Sequence, residues 1–258
     1  EILEKSDKIL SKVKVSGGGR CNVMHSCFKA SELARFYPRG SKQIKKSFML
    51  FNSNHTLAWF KERGVELKKE ADNRMFPITD KSITIINCFL DEAHKLGVAI
   101  KKGTAVQQII PSENNVRLVI DGFEHAYDKV IIATGGSPKK TGLAWLEDLG
   151  HEIISPLPSL FTFNMPNEVV KDLQGLSVKN AIVRVQGTKL VQEGPLLVTH
   201  WGMSGPAVLK TSAWGARELA EMNYEFMAQI NWIGNANEDE VRTLLNRHCY
   251  SYDKKKTK

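Results

Sequence analysis

Hydrophobic and polar positions change period several times along this chain, and each change predicts an element. Between residues 31 and 63 the apolar residues recur at helical spacing, with Leu33, Phe36 and Tyr37, then Phe48, Leu50 and Phe51, then Leu57, Trp59 and Phe60. Pro38-Arg39-Gly40 divides that stretch into separate helices, and Gly64 ends the last of them. Residues 65–68 alternate as a strand does, and Arg74-Met75-Phe76-Pro77 is read as a turn that breaks the pattern. A further helix is predicted over 82–96 with Gly97 closing it. Short β-branched runs follow at 98–101, 104–110, 116–120 and 123–127, with Asp121-Gly122 as a hairpin signal. The unbroken run Lys129-Val130-Ile131-Ile132 reads differently, as a strand buried on both faces in a parallel sheet.

Beyond Pro156-Leu157-Pro158 the character shifts to an antiparallel β set at 160–163, 181–185, 189–191 and 195–199. A helix is expected over 206–222, with Ser204 as its N-cap and Pro206 just inside. One more strand follows at 224–232, and a last helix starts at 237–240 and runs through His248. The expected organisation is therefore an α/β part over 1–158, a β-rich part with one helix over 159–234, and the start of a helical piece over 235–258.

Composition narrows the class without naming a chemistry. With 258 residues, 42% hydrophobic and 25% charged, the chain reads as globular. No apolar run is long enough for a membrane helix and no basic-then-apolar leader opens the chain, so a cytoplasmic protein is expected. The net charge of +8 includes four charges from Lys254, Lys255, Lys256 and Lys258. The other basic residues read as scattered among acids, a solvated surface rather than a nucleic-acid face, so a small-molecule substrate is expected as partner. Cys21, Cys27, Cys88 and Cys249 lack the paired spacing of a zinc site, and no metal is expected. Cys21 and Cys27 read either as a redox pair or as reduced structural thiols.

Candidate chemistry concentrates in Ser16-Gly17-Gly18-Gly19-Arg20-Cys21-Asn22. Three glycines let backbone amides approach an anion, because no Cβ blocks a positive φ or the approach itself. Arg20 adds a fork of donors suited to phosphate. Glu4, at the end of a short apolar run and followed by Lys5, places a carboxylate where a ribose could be held. Thr134-Gly135-Gly136 turns the chain at the end of the 129–132 run, where a parallel sheet meets its ligand. His200 beside Trp201 reads either as a proton relay or as a packed junction set by Gly202 and Gly205. Arg74 reads as an anchor for an anion or as half of a turn-stabilising ion pair.

Taken in order, Glu4-Lys5, Ser16–Asn22, Arg74–Pro77, Val130-Ile-Ile-Ala-Thr-Gly-Gly136 and Thr199-His-Trp-Gly-Met-Ser-Gly-Pro206 resemble the YhiN-like NAD(P)/FAD-dependent oxidoreductases, the aminoacetone-oxidase family of bacterial flavoproteins. The resemblance implies an FAD/NAD(P)-binding Rossmann-like domain interrupted by an antiparallel β-rich insertion and a small helical piece. It implies that Glu4 and Lys5 meet the adenosine ribose, that Gly17, Gly18, Gly19, Arg20, Cys21 and Asn22 line the flavin and pyrophosphate, that Val106 lies beside the adenine, and that Thr134, Gly135 and Gly136 form the second turn over the cofactor. The family's opening GxGxxG strand-turn and its closing flavin-contacting segment have no counterpart in these 258 residues, which resemble a fragment of the family pattern. The activity implied is transfer of hydride from NAD(P)H through FAD to a small unsaturated or carbonyl compound, with no tight FAD held by the fragment alone. A non-catalytic flavin- or nucleotide-binding module and a tRNA-modifying flavoprotein are the alternatives.

Overall fold

The computed structural model describes residues 1–256, and side chains through Arg247. Two compact units share the chain, Glu1–Gly135 with Ala144–Ile153, and Gly136–Leu143 with Ile154 onward.

The first unit opens with β1 (Ile2–Leu3) and α1 (Ser11–Val15), which runs into a 3-10 turn at Ser16–Gly19. Strand β2 (Met24–His25) follows, then α2 (Ala30–Leu33), a 3-10 turn at Ala34–Phe36, α3 (Ser41–Leu50) and α4 (Ser53–Glu62). Asn52 explains why α4 starts where it does. Its side chain accepts the Asn54 N–H at 2.9 Å, while its own N–H donates to His55 Nδ1 at 3.1 Å, a reciprocal cap. Gly64, at φ 74°, ends the helix as expected.

Strands β3 (Leu67–Lys69) and β4 (Arg74–Pro77) come next, and β4 pairs with β2 on one side and β3 on the other. Residues 74–77 are therefore the central strand of a three-stranded sheet and not a turn. The reversal lies one residue earlier, at Asn73 with φ 67°, and Met75, Phe76 and Pro77 are all buried. Helix α5 (Ser82–Lys95) carries the expected period and packs Ile85 and Cys88 with Cys21, Phe60 and Val65 into one core.

Strand β5 (Ile100–Lys101) pairs with β1 in parallel, Ile2 opposite Ile100 and Leu3 opposite Lys101. A meander of β6 (Val106–Pro111), β7 (Val116–Ile120) and β8 (Phe123–Tyr127) follows. Asp121 and Gly122, at φ 51° and 81°, make the two-residue turn that their sequence predicts. The expected strand at 129–132 is absent. No described strand pairs with it, and Ile131 is 92% exposed, because a buried parallel strand needs neighbours on both edges. A short helix α6 (Ala144–Glu147) completes this unit.

The second unit is built on the sheet β13-β10-β11-β12-β9. Its strands are β9 (Phe163–Asn164), β10 (Ser177–Val185), β11 (Val191–Thr199), β12 (Gly202–Ser204) and β13 (Ala228–Asn231). The runs at 189–191 and 195–199 fuse into β11, and Pro195 is tolerated because the pairing with β10 shifts register beside it. Helix α7 (Pro206–Trp214) is capped by Gly205 at φ 99°, not by Ser204, whose backbone is committed to pairing with Leu197. Gly215 then separates it from α8 (Ala216–Glu221), so the single helix expected over 206–222 is two. Phe163, Val183, Leu196, Val198, Met203 and Val208 form the core between sheet and helix. Helix α9 (Glu238–Lys256) starts on an Asn237 cap, whose side chain accepts the Glu240 N–H at 2.9 Å. The side chain of Cys249 lies outside the described residues.

Candidate nucleotide-binding loop

The glycine triplet takes the conformation its sequence requires. Gly17, Gly18 and Gly19 all have positive φ, at 55°, 68° and 83°. Their surroundings differ, and the difference separates structure from function. A Cβ on Gly17 would lie 2.7 Å from the Asn22 backbone nitrogen and 2.8 Å from Phe76 Cε1, so that glycine is dictated by the chain itself. A Cβ on Gly18 would meet nothing within 4 Å, and one on Gly19 only the Lys14 carbonyl at 4.0 Å. Both residues are exposed, leaving backbone open to an approaching group.

The residues after the triplet hold the loop and leave the open side to others. Arg20 donates to Glu70 at 2.5 Å and to Asp80 at 3.2 Å, with its guanidinium 4.0 Å from the centre of the Phe76 ring. Those carboxylates raise its pKa further, with the Glu70 hydrogen bond as the largest cause. Arg20 is thus a brace between the loop and strands β3 and β4, and its charge is spent on carboxylates, not offered to a phosphate. Lys68 pairs with Asp80, and Arg74 pairs with Asp72 at 2.7 Å while lying 3.8 Å from Glu70. Arg74 therefore takes the ion-pair role of its two alternatives. The Cys21 side chain points into the core beside Phe60 and Ile85, and its N–H donates to the Ser16 carbonyl at 3.0 Å. Cys21, Cys27 and Cys88 are free thiols, and burial pushes the Cys88 pKa up. Asn22 is exposed.

Glu4 sits where β1 leaves the parallel pair. Its N–H donates to the Lys101 carbonyl and its carbonyl accepts the Thr104 N–H, each at 2.9 Å, so the chain running to Val106 at the start of β6 is tied to it. Its carboxyl lies below the usual range, chiefly because the Ser6 N–H donates to it at 2.8 Å, with Lys12 adding a favourable charge. Lys5 is exposed.

Lys12, on α1, is the residue that sequence reasoning missed. Its Nζ lies 3.0 Å from where a Cβ on Gly135 would stand, so one ammonium sits between the Glu4 region and the Thr134-Gly135 turn, where Gly135 has φ 78°. No ion pair engages Lys12 among the described residues. A lysine inside a short helix of mixed lysines carries no signal in sequence; only the fold puts it beside a glycine turn. Gly136 belongs to the second unit, and a Cβ there would meet nothing within 4 Å.

The first unit thus brings together a parallel strand pair, Glu4 at the end of its first strand, and a glycine loop at the C-terminal end of α1. A family model described as HI0933-like protein Rossmann domain matches residues 1–234. The chain belongs to this family. Its fold class is accordingly α/β, a Rossmann domain with added antiparallel sheets.

Among curated proteins the HI0933-like chain is similar to a 3-dehydro-bile acid delta(4,6)-reductase of Clostridium scindens, 24% identical over 255 residues, covering 96% of this chain and 61% of that protein. It is also similar to the ribosomal RNA dihydrouridine synthase of Escherichia coli, 25% identical over 237 residues, covering 86% of this chain and 56% of the relative. The Haemophilus influenzae protein of the same name is 25% identical over 266 residues, with 95% and 64% covered. The chain thus spans between 56% and 64% of the length of these relatives.

His200, the weak catalytic candidate, lies in the other unit, at the hairpin between β11 and β12. It is exposed, its ring stands edge-on to Trp201 at 4.4 Å, and the Trp201 carbonyl accepts the Met165 N–H at 2.8 Å. No acid or second titratable group pairs with it among the described residues. Among those residues no cluster suited to a metal ion occurs, and no helix is long and apolar enough to cross a membrane.

Proposed function

We propose that this chain is the nucleotide-binding part of a flavin-dependent reductase of the YhiN-like, aminoacetone-oxidase type, acting on a carbon–carbon double bond conjugated to a carbonyl. The observation that carries this reading is the loop itself: Gly18 and Gly19 hold open, positive-φ backbone, and Lys12 stands between Glu4 and Gly135. A Cβ at Gly18 would occupy the space an anion needs, which is the fit expected of a pyrophosphate cradle.

In this reading the Glu4 carboxylate, held ionised by Ser6 and Lys12, accepts hydrogen bonds from ribose hydroxyls, with Lys5 beside it. The backbone of Gly17 to Asn22 and the Lys12 ammonium meet the diphosphate, with Lys12 replacing the phosphate role first expected of Arg20. Val106 lies beside the adenine, and Thr134 and Gly135 close over the dinucleotide. Bound FAD, reduced by NAD(P)H, would supply hydride to the substrate. Arg20 keeps the loop in shape, and the buried Cys21 ties it to the core.

The chemistry named for the relatives supports the substrate class. A 3-oxo compound with Δ4,6 unsaturation is a conjugated dienone, and dihydrouridine is a uridine whose double bond next to a carbonyl has been saturated. A second reading, that this chain's substrate is a pyrimidine carried in RNA, is favoured by the two relatives named for ribosomal RNA.

Anaerobic titration of the full-length protein tests the proposal. Visible flavin absorbance bleached by NADH or NADPH, then restored by an α,β-unsaturated ketone or a uridine-containing RNA, is the expected outcome. A colourless protein, or a bleached one restored by neither, defeats it.

A further inference from the structure

Basic charge is concentrated in the chain, contrary to the scattered pattern expected from its overall balance. From Lys8 to Lys61 there are eleven Lys and Arg residues and a single carboxylate, Glu32, against 36 basic and 28 acidic residues in the whole. The remaining residues are therefore acidic on balance. From Leu33 to Lys61 there is no carboxylate at all.

Structure turns part of this run into a surface. On α3, Lys42, Lys45 and Lys46 fall at i, i+3 and i+4 and stand exposed on one stripe. None of them, nor Arg35 just before the helix, makes an ion pair among the described residues. The partly buried apolar positions of α3 are Ile44 and Phe48, and the helix packs on α2 and the Ala34–Phe36 turn, with Phe48 and Tyr37 rings 5.5 Å apart. Ile44 and Phe48 thus face the protein, while the lysines stand outward together with the exposed Met49 and Leu50.

Aromatic faces border the lysine stripe. Phe51 follows the helix and stacks on His55, with rings 5.5 Å apart at 24°, and both residues are exposed. The hairpin is rooted on the strand that leaves the glycine loop, because Phe36 packs on His25 of β2 at 4.9 Å. A ligand lying along α3 is thus held by the element that connects directly to the candidate cofactor loop.

We propose that the α2–α3 hairpin, with Phe51 and His55, is a docking surface for RNA. Lys42, Lys45, Lys46 and Arg35 track phosphates, and the Phe51–His55 pair stacks on unpaired bases. This rests on the reading of an RNA-borne pyrimidine substrate and supplies the contact outside the reaction centre that such a substrate requires.

Fluorescence anisotropy of the full-length protein with a labelled uridine-containing RNA stem-loop, over a range of salt, tests it. Binding is expected to weaken steeply with salt. The triple variant K42Q/K45Q/K46Q is expected to lose at least about tenfold in affinity, with the log–log salt slope reduced by about 2, as three lost phosphate contacts require. Phe51→Ala is expected to lose about tenfold with the slope unchanged. Circular dichroism shows that both variants fold, and flavin content with bleaching by NAD(P)H stays at the native level in both, which separates failure of this surface from failure of the flavin reading. Three results overturn the proposal: no salt-dependent RNA binding by the native protein, RNA binding unaltered in the triple variant, or equal affinity for a DNA duplex of the same length. Loss of binding to phosphatidylserine vesicles in the triple variant with RNA binding intact assigns the surface to a membrane and overturns it too.

Discussion

Gly17 and Gly18 share a sign of φ and differ in what surrounds them, so the same substitution has two meanings one residue apart. Gly17→Ala forces a Cβ against backbone and the Phe76 ring, and a loss of about 3 kcal/mol in chemical denaturation is expected from overpacking together with left-handed strain. Gly18→Ala carries only the strain, about 1 kcal/mol. It is nevertheless expected to lower flavin affinity of the full-length protein at least about tenfold, because its methyl enters the proposed cradle. Flavin retained at native affinity in Gly18→Ala removes the cradle from consideration. Asp80 gives a pH signature at the same scale. Its carboxyl is held below the usual range by the Lys68 hydrogen bond first and Arg20 after it. A depressed folded pKa contributes stability that is complete above the unfolded value, about 3.9, and is lost as pH falls through the folded one. Thermal melts from pH 6 down to pH 2, a range of roughly 4 pH units, are expected to show a shallower acid decline in Asp80→Asn than in the native chain.

At the scale of elements, some helix ends were legible, the break at Gly215 was not, and neither were strand partners. Gly64, Gly97 and the Asp121-Gly122 turn act through their own backbone, so local sequence is enough to place them. Residues 74–77 looked like a turn because Arg and Pro flank two apolar residues, yet their pairing with β2 and β3 depends on residues far off in sequence. The 129–132 run shows the converse: a strand-like composition with no described partner to pair with. Gly202 illustrates how close such pairing is. Its φ is 153°, and a Cβ there would stand 2.3 Å from the Phe163 carbonyl oxygen and 2.9 Å from the Met165 nitrogen. Gly202→Ala is expected to part β12 from β9 and cost about 3 kcal/mol or more. A melting temperature within a degree or so of native would contradict that account.

For the whole molecule, a Rossmann-type family was readable because motif order survives in sequence, while the carboxylate partners of Arg20 were not. Sequence shows a donor next to a glycine loop; it does not show Glu70 and Asp80 arriving beside it. Lys12 went unnoticed for the same reason, and so did the acid-free run from Leu33 to Lys61, hidden under a modest net charge. The brace on Arg20 also has a consequence in time. Its carboxylate partners lie 50 and 60 residues further along the chain, and the Phe76 ring that Gly17 must clear is equally remote. The loop leaves the ribosome early, but it takes its final shape only once β3 and β4 have been made and paired. If the loop cradles a cofactor as proposed, its capture is a late event in the life of the nascent chain, set by synthesis of residues well downstream of that loop.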